Sequence, residues 1–235
     1  MCKKLTAAVL ALLLGGCASA PNDPNNDPFE STNRAIFALD IKIDHMMLRR
    51  TAVAYNALVP EGARDGVHNF LGNLNEPVVF ANDVLQGEGA RAGQSAERFF
   101  VNSTLGLGGF LDIASDMGVS PQSEDFGQTL GTWGVGEGPY LVLPFLGPDP
   151  PRDAFGQVVD IGLDPTTYVP VKQHIWWMLG RKYVTILDAR ARNLDTLDDI
   201  ERSSLDYYAT TRSLYRQFRD NEIRNGRPPP APPDD

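Results

Sequence analysis

Residues 124–156 read EDFGQTLGTWGVGEGPYLVLPFLGPDPPRDAFG. Glycine and proline crowd the middle, and Phe126, Leu130, Trp133, Tyr140, Leu141, Val142, Leu143 and Phe145 fill the gaps between them. This composition excludes one long helix. Gly134, Gly136 and Gly138 permit positive φ and close backbone approach, whereas Pro139 and Pro144 fix φ and remove donors. The backbone is therefore expected to be irregular yet conformationally specified. Taken locally, the stretch is either a glycine-rich turn between two helices or a shaped functional loop. Residues 140–145 are candidates for a short extended segment, which Pro144 keeps from being a central strand.

Helical periodicity surrounds this stretch. Upstream, Asp27-Pro28-Phe29-Glu30 has the form of a helix start, with Asp27 as N-cap, Pro28 at the first position and Glu30 reaching back as in a capping box. Ile36, Leu39, Ile43 and Met46 then recur at helical spacing, predicting an amphipathic helix over 28–47. Val67, Phe70, Leu71 and Leu74 predict a second, short helix, with Pro77 marking a helix-break-helix corner before 78–86. Residues 90–104 carry Ala92, Ala96, Phe99 and Phe100 on one side, and three glycines punctuate the apolar run 105–111.

Downstream, residues 152–163 predict a short helix, and 181–225 give the longest helical pattern, with a new start at Ser203-Ser204 and Gly226 as terminator. The Trp176-Trp177 pair suits either a membrane interface or a core. Residues 227–235 form a proline-rich extended tail. Neither internal repeats nor a pattern of alternating strands is present.

The N-terminus carries Lys3 and Lys4, an apolar run from Leu5 to Leu14, and Leu14-Gly15-Gly16-Cys17. That order is a secretory signal over residues 1–16, too short to span a membrane, and small-small-Cys has the form of a bacterial lipobox. Cleavage before Cys17 would leave an acylated N-terminus on a polar tether, residues 17–27. Cys2 would leave with the signal, so a disulfide is excluded and stability must come from packing.

The net charge of −9 becomes −11 once Lys3 and Lys4 are removed, which argues against nucleic acid and against capture by anionic headgroups. No apolar stretch after Cys17 reaches spanning length. His45, His68 and His174 are widely separated, with no carboxylate or histidine at ligand spacing, so no metal is expected. Asp195, Asp198 and Asp199 miss the calcium-loop spacing and read as a solvated helix face. A Gly-x-Ser-x-Gly elbow is missing, and residues 134–139 lack dinucleotide-loop spacing, with Pro139 removing an amide that a phosphate cradle needs. No enzyme and no cofactor is expected.

Four motifs in order, DPFE (27–30) with Asn33-Arg34, NFLGNLNEP (69–77), RFFVNSTLGLGGFLD (98–112), and DFGQTLG (125–131) with GVGEGPY (134–140), resemble the MlaA/VacJ family of outer-membrane lipoproteins. The likeness runs through residues 27–225, nearly the whole mature chain. It implies a mainly α fold over 28–226: a ring-shaped single domain of amphipathic helices around a central polar channel, with glycine- and proline-rich irregular loops. It further implies removal of mislocalised phospholipid from the outer leaflet, handed to a periplasmic carrier protein that serves an inner-membrane ABC transporter, beside a trimeric porin in the outer membrane. Ile36-Phe37-Ala38-Leu39-Asp40 departs from the aromatic and asparagine-rich segment the family commonly shows there.

Physical argument fits this implication. A headgroup crossing hydrocarbon loses several kcal/mol or more for each unpaired polar group, and a polar path through interfacial helices removes that loss. The expected site residues are Cys17 for the anchor, Asn33 and Arg34 on the first helix, and Gly134, Gly136, Gly138, Pro139 and Tyr140 in a channel-bordering loop. Two other readings stand beside this one: a scaffold lipoprotein that bridges membrane and partner without moving lipid, and an envelope hydrolase.

Overall fold

The computed structural model describes residues 25–170 and 174–229. The expected signal peptide, Cys17, the tether up to residue 24 and residues 230–235 of the tail lie outside the described residues. In chain order, α1 spans Glu30–Ile43, a π-helical turn Asp44–Leu48, α2 Arg49–Leu58, α3 Glu61–Gln86, α4 Gly89–Thr104, α5 Ile113–Asp116 and α6 Phe126–Thr132. Strands β1 (Val142–Leu143) and β2 (Gly147–Pro148) follow, then α7 (Pro151–Leu163), a 3-10 turn (Pro165–Tyr168), α8 (His174–Arg192), α9 (Leu194–Ser203) and α10 (Tyr207–Ile223). The protein is mainly α, as the periodicity predicts. Its two strands pair antiparallel, Val142 opposite Pro148 and Leu143 opposite Gly147.

Several expectations are corrected. Pro77 does not break a helix: α3 runs through it for 26 residues. Proline there forfeits one backbone hydrogen bond, and that loss is offset because the helix is held along its length against α4, with Val78 and Val79 buried beside it. The first helix continues past 47 through the π turn into α2. The ends of the 124–156 stretch are helical, as α6 and α7, leaving residues 133–150 as the irregular part.

The chain divides into two compact units. In the first, comprising residues 25–40, 126–158 and 208–229, glycines permit close approach of helices. A methyl group on Gly156 would stand 2.4 Å from the Gly127 amide nitrogen, and one on Gly131 would stand 2.8 Å from the Ile223 side chain. The core of this unit is a set of edge-to-face rings: Tyr208 meets Phe37 at 5.6 Å and Tyr140 at 6.2 Å, and Tyr140 meets Tyr215 at 6.3 Å.

The second unit holds residues 41–125 and 159–207, with α3 packed along α4 and α2 against α8. Helix α3 ends on Gly87 at φ +76°, and the Glu88 amide donates back to Asp83 O at 2.9 Å. Between α3 and α4 lies a polar seam. Buried Arg98 donates to Glu76 (2.8 Å), both oxygens of Asp112 (3.1 Å each), Ser115 (3.0 Å) and the Val119 carbonyl (2.6 Å). A second seam joins Asp198 to Arg49 (2.6 Å) and Arg190 (2.9 Å), with Arg190 also on Asp44 (3.0 Å). Asp198 is therefore a paired, largely buried carboxylate and not part of a solvated face. Its two arginine partners hold its carboxyl at about 2.

Candidate functional site

Beside its aromatic and aliphatic core residues the protein buries many polar and charged side chains, and many large apolar side chains are exposed. Asp27, Asn33, Glu76, Asn82, Asp83, Arg98, Glu124, Gln128, Asp153 and Arg219 are buried, while Met46, Met47, Leu58, Phe100, Leu105, Leu107, Phe145, Val158, Tyr168, Trp176 and Phe218 are exposed. Individual helices repeat the inversion. Helix α4 buries Ala92, Ser95, Arg98 and Asn102 and turns Phe100 outward, so its Phe100 edge is not a core face. Helix α1 buries Asn33 and Phe37 and exposes Leu39. Trp176 and Trp177 are both exposed, which removes the core alternative. Among the described residues, no helix is long and apolar enough to cross a membrane.

The loop and the first-helix motif meet in the first unit. Asn33 is buried at 1% exposure, and its carboxamide acts as a surrogate peptide for the base of the hairpin. Its Nδ2 donates to Tyr140 O (2.9 Å) and to Asp27 Oδ1 (2.8 Å), and its Oδ1 accepts from the Val142 amide (3.0 Å). Seven residues on, Asp40 Oδ1 accepts from the Phe145 amide at 2.9 Å. Positions i and i+7 share a helix face about 10 Å apart, and three extended residues cover about the same distance. Helix α1 thus clasps the hairpin at its base and near its tip.

Asp27 anchors the clasp from below. It accepts from Asn33, from the Tyr208 hydroxyl and from Arg212 Nη1 (2.6 Å), so one buried carboxylate ties α1 to α10. Burial first, then the bond to Asp27, pushes the Tyr208 hydroxyl above its ordinary value, which keeps it a donor. Arg34 pairs with Glu30 (2.7 Å) and lies over the Tyr208 ring at 4.5 Å. Asp153 plays the matching role for α7, accepting from Arg152 (2.9 Å), Arg219 (3.0 Å) and the Tyr215 hydroxyl (2.7 Å). Burial works to raise the Asp153 carboxyl, but Arg152 and Arg219 outweigh it and hold it low.

The loop residues fall into two groups. Tyr140 is fully buried beneath the loop, with its amide donating to Asn26 O at 2.8 Å. Burial raises its hydroxyl above the ordinary value. Gly134 and Gly138 use the permitted positive φ, +86° and +77°, as a turn requires, whereas Gly136 does not. A side chain at Gly136 would meet no atom within 4 Å. Trp133 and Val135 are exposed. Beside α10 lies an open polar cleft of about 260 Å³, lined by Asn25, Arg212, Ser213, Arg216, Gln217 and Asp220.

Sequence reading missed Asp40, Arg98 and Glu76 as structural hubs. The separation of Asn33 and Asp40 by seven residues was the available signal for the clasp. The hydrogen-bonded contacts His45–Glu201 (3.0 Å) and His68–Asp188 (2.8 Å) join residues far apart in the chain and carried no local signal. Among the described residues, no group of three or more histidine, cysteine, aspartate or glutamate side chains is placed to hold a metal.

The family model described as MlaA lipoprotein matches residues 25–222. The chain is 38% identical to the intermembrane phospholipid transport system lipoprotein MlaA of Escherichia coli (strain K12), covering 95% of this chain and 90% of that protein. It is 35% identical to the protein of the same name in Haemophilus influenzae, covering 95% and 91%. A structure solved to give the structural basis for maintenance of bacterial outer membrane lipid asymmetry superposes with a TM-score of 0.77 at 35% identity, covering 84% of this chain and 98% of that chain.

Proposed function

We propose a function from one premise: this chain belongs to the MlaA lipoprotein family. The protein transports phospholipid between membranes and serves outer-membrane lipid asymmetry, as the names and subject of its relatives state for them. The observation that carries this reading is the inverted polarity: buried carboxylates, guanidinium groups and amides within, and exposed Met, Phe, Leu and Trp side chains without. A chain in water gains nothing from that arrangement, whereas helices lying in a bilayer interface bury the apolar side chains in lipid. Residues 28–226 act as the working body, anchored to the outer membrane through an acylated Cys17.

The lipid path is a polar channel, with Gly134, Gly136, Gly138 and Pro139 at its border and Tyr140 as the buried post beneath them. A headgroup moving along such a path keeps polar partners while its acyl chains remain in hydrocarbon. No covalent step is required, so the protein acts without being an enzyme. Direction comes from affinity differences along the relay, because an unpowered path only equilibrates its ends. The receiving partner is a soluble periplasmic carrier, and a trimeric porin holds the protein in the membrane.

Gly136 provides a test of the loop. Its surroundings accept a side chain, so Gly136→Val should fold normally and still disturb passage. The expected result is more phospholipid in the outer leaflet and greater detergent sensitivity at normal protein abundance. Wild-type values of both would remove the loop from the path.

A further inference from the structure

Four non-glycine residues among those described take positive φ: Asn26 (+50°), Asn225 (+54°), Leu107 (+55°) and Phe145 (+68°). Asparagine tolerates that conformation; leucine and phenylalanine do not. Both of the latter are also 71% exposed. Two unfavourable choices thus fall on each side chain: a strained backbone and an apolar group facing outward.

Phe145 lies third in the turn 143–146, closed by the Leu146 amide on Leu143 O at 3.2 Å, with Pro144 before it. A turn with proline second and positive φ third is normally filled by glycine at the third position. Packing does not account for phenylalanine here, since the ring stands out of the fold beside exposed Leu146. The clasp holds it there: Asp40 fixes the Phe145 amide from α1.

The chain's own anchor indicates what meets the ring. The tether from Cys17 to Asn26 spans at most about 30 Å, and Asn26 O accepts from the Tyr140 amide at the hairpin base. An acyl chain on Cys17 therefore keeps this turn within reach of the bilayer. The body is acidic, which disfavours a headgroup-bound surface contact and leaves hydrocarbon as the matching chemistry.

We propose that the 143–146 turn is a lipid-inserting tip, with the Phe145 ring placed among phospholipid acyl chains by a backbone conformation that glycine would adopt more easily. This deepens the transport reading and rests on it. In the second unit the turn at Leu107, between exposed Leu105 and Gly108 at φ +75°, repeats the combination.

The test uses the full-length acylated protein with Phe145→Cys carrying an environment-sensitive fluorophore, bound to vesicles of phosphatidylethanolamine and phosphatidylglycerol. The expected result is blue-shifted emission, quenching by nitroxide on the acyl chains and protection from aqueous iodide. Emission as in water with full iodide access on bound vesicles overturns the proposal, as does protection that appears only after a protein partner is added. Labelling of the unsubstituted protein would report an unmodified Cys17, so failure of the anchor is seen separately, and the probe reads depth whether or not lipid is transferred.

A second pair separates strain from contact. Phe145→Gly should melt several degrees above Phe145→Ala, because only glycine relieves the left-handed backbone, while both should transfer phospholipid at least threefold more slowly than the parent. A lower melting point for Phe145→Gly, or parental transfer by Phe145→Ala, contradicts the proposal.

Discussion

Arg98→Leu is expected to lower the unfolding free energy at pH 7 by ~3–5 kcal/mol, the cost of stranding a buried partner charge. That is a large share of the ~5–15 kcal/mol that holds a domain folded. The guanidinium donates to Glu76, Asp112, Ser115 and the Val119 carbonyl, and its side chain is only 6% exposed. Leucine fills the volume and leaves two carboxylates without their cation.

The loss should depend on pH, with a sign fixed by Glu76. Burial already raises the Glu76 carboxyl above its ordinary value, against the pull of Arg98, so the folded state binds this proton more tightly than the unfolded chain does. Such a group costs stability at high pH and ceases to do so below the unfolded value of about 4.3. Removing Arg98 enlarges that upward shift, so the deficit should shrink as pH falls from 7 to 5. Asp112 behaves oppositely: burial works to raise it, but Ser115, Asn102 and Arg98 hold it at about 2, so its stabilisation is lost only as pH falls from about 4 toward 2. Denaturant unfolding of the two proteins at pH 7 and pH 5 checks the size of the deficit and its Glu76-dependent shrinkage, and a further pair at pH 4 and pH 3 reads the Asp112 contribution. A deficit under about 1 kcal/mol, or one that does not change with pH, would show that the seam holds α3 and α4 weakly.

The second large effect is Asn33→Leu, expected to cost on the order of 3–5 kcal/mol. Three buried groups lose their bond to Asn33 at once: the Tyr140 carbonyl, the Val142 amide and Asp27 Oδ1, while Asp27 keeps Tyr208 and Arg212. Asn33→Asp isolates the hydrogen bonding, because it keeps the acceptor facing Val142 but turns a second acceptor toward Tyr140 O and Asp27. It should be nearly as damaging despite equal size. Hydrogen exchange of the Tyr140 and Val142 amides is the matching local readout, and both should lose protection in either variant. Retained protection in Asn33→Asp would mean that packing, rather than the carboxamide, holds the hairpin on α1.

Much of the helical layout is legible in the sequence because apolar spacing and cap residues report local geometry. Helix α10 ends at Ile223, and its first left-handed residue is Asn225 (φ +54°), one position before the expected terminator Gly226 (φ +72°). What the spacing cannot report is which face turns inward. Helix α4 has an apolar edge at Phe99 and Phe100 and a polar one at Ser95, Arg98 and Asn102, and the polar edge is the buried one. In water the opposite assignment is the favourable one, so the observed orientation fits the proposed bilayer setting, which spacing along the sequence does not report.

The misreading of Pro77 has a related cause. A single missing hydrogen bond is a local penalty, and the packing of α3 along α4 is a distributed gain that no window around residue 77 contains. Asp198 read as solvated because one arginine partner, Arg49, is 149 residues away and the other, Arg190, belongs to the preceding helix α8, so neither shares a helix with it. The clasp was half legible: Asn33 stood in a recognised motif, whereas Asp40 stood only in a segment departing from the family pattern. Its role emerges from the hydrogen bond to Phe145.

Passive passage of intact phospholipid through this protein is the proposed function. It is tested most directly by reconstituting the acylated full-length chain in vesicles containing labelled phospholipid, adding a lipid-free periplasmic carrier without nucleotide, and counting lipid on the re-isolated carrier. Intact phospholipid is expected on the carrier well above protein-free vesicles, with no lysolipid formed. Carrier no fuller than with bare vesicles would leave a scaffold, lysolipid would reveal a hydrolase, and either result would overturn passive passage.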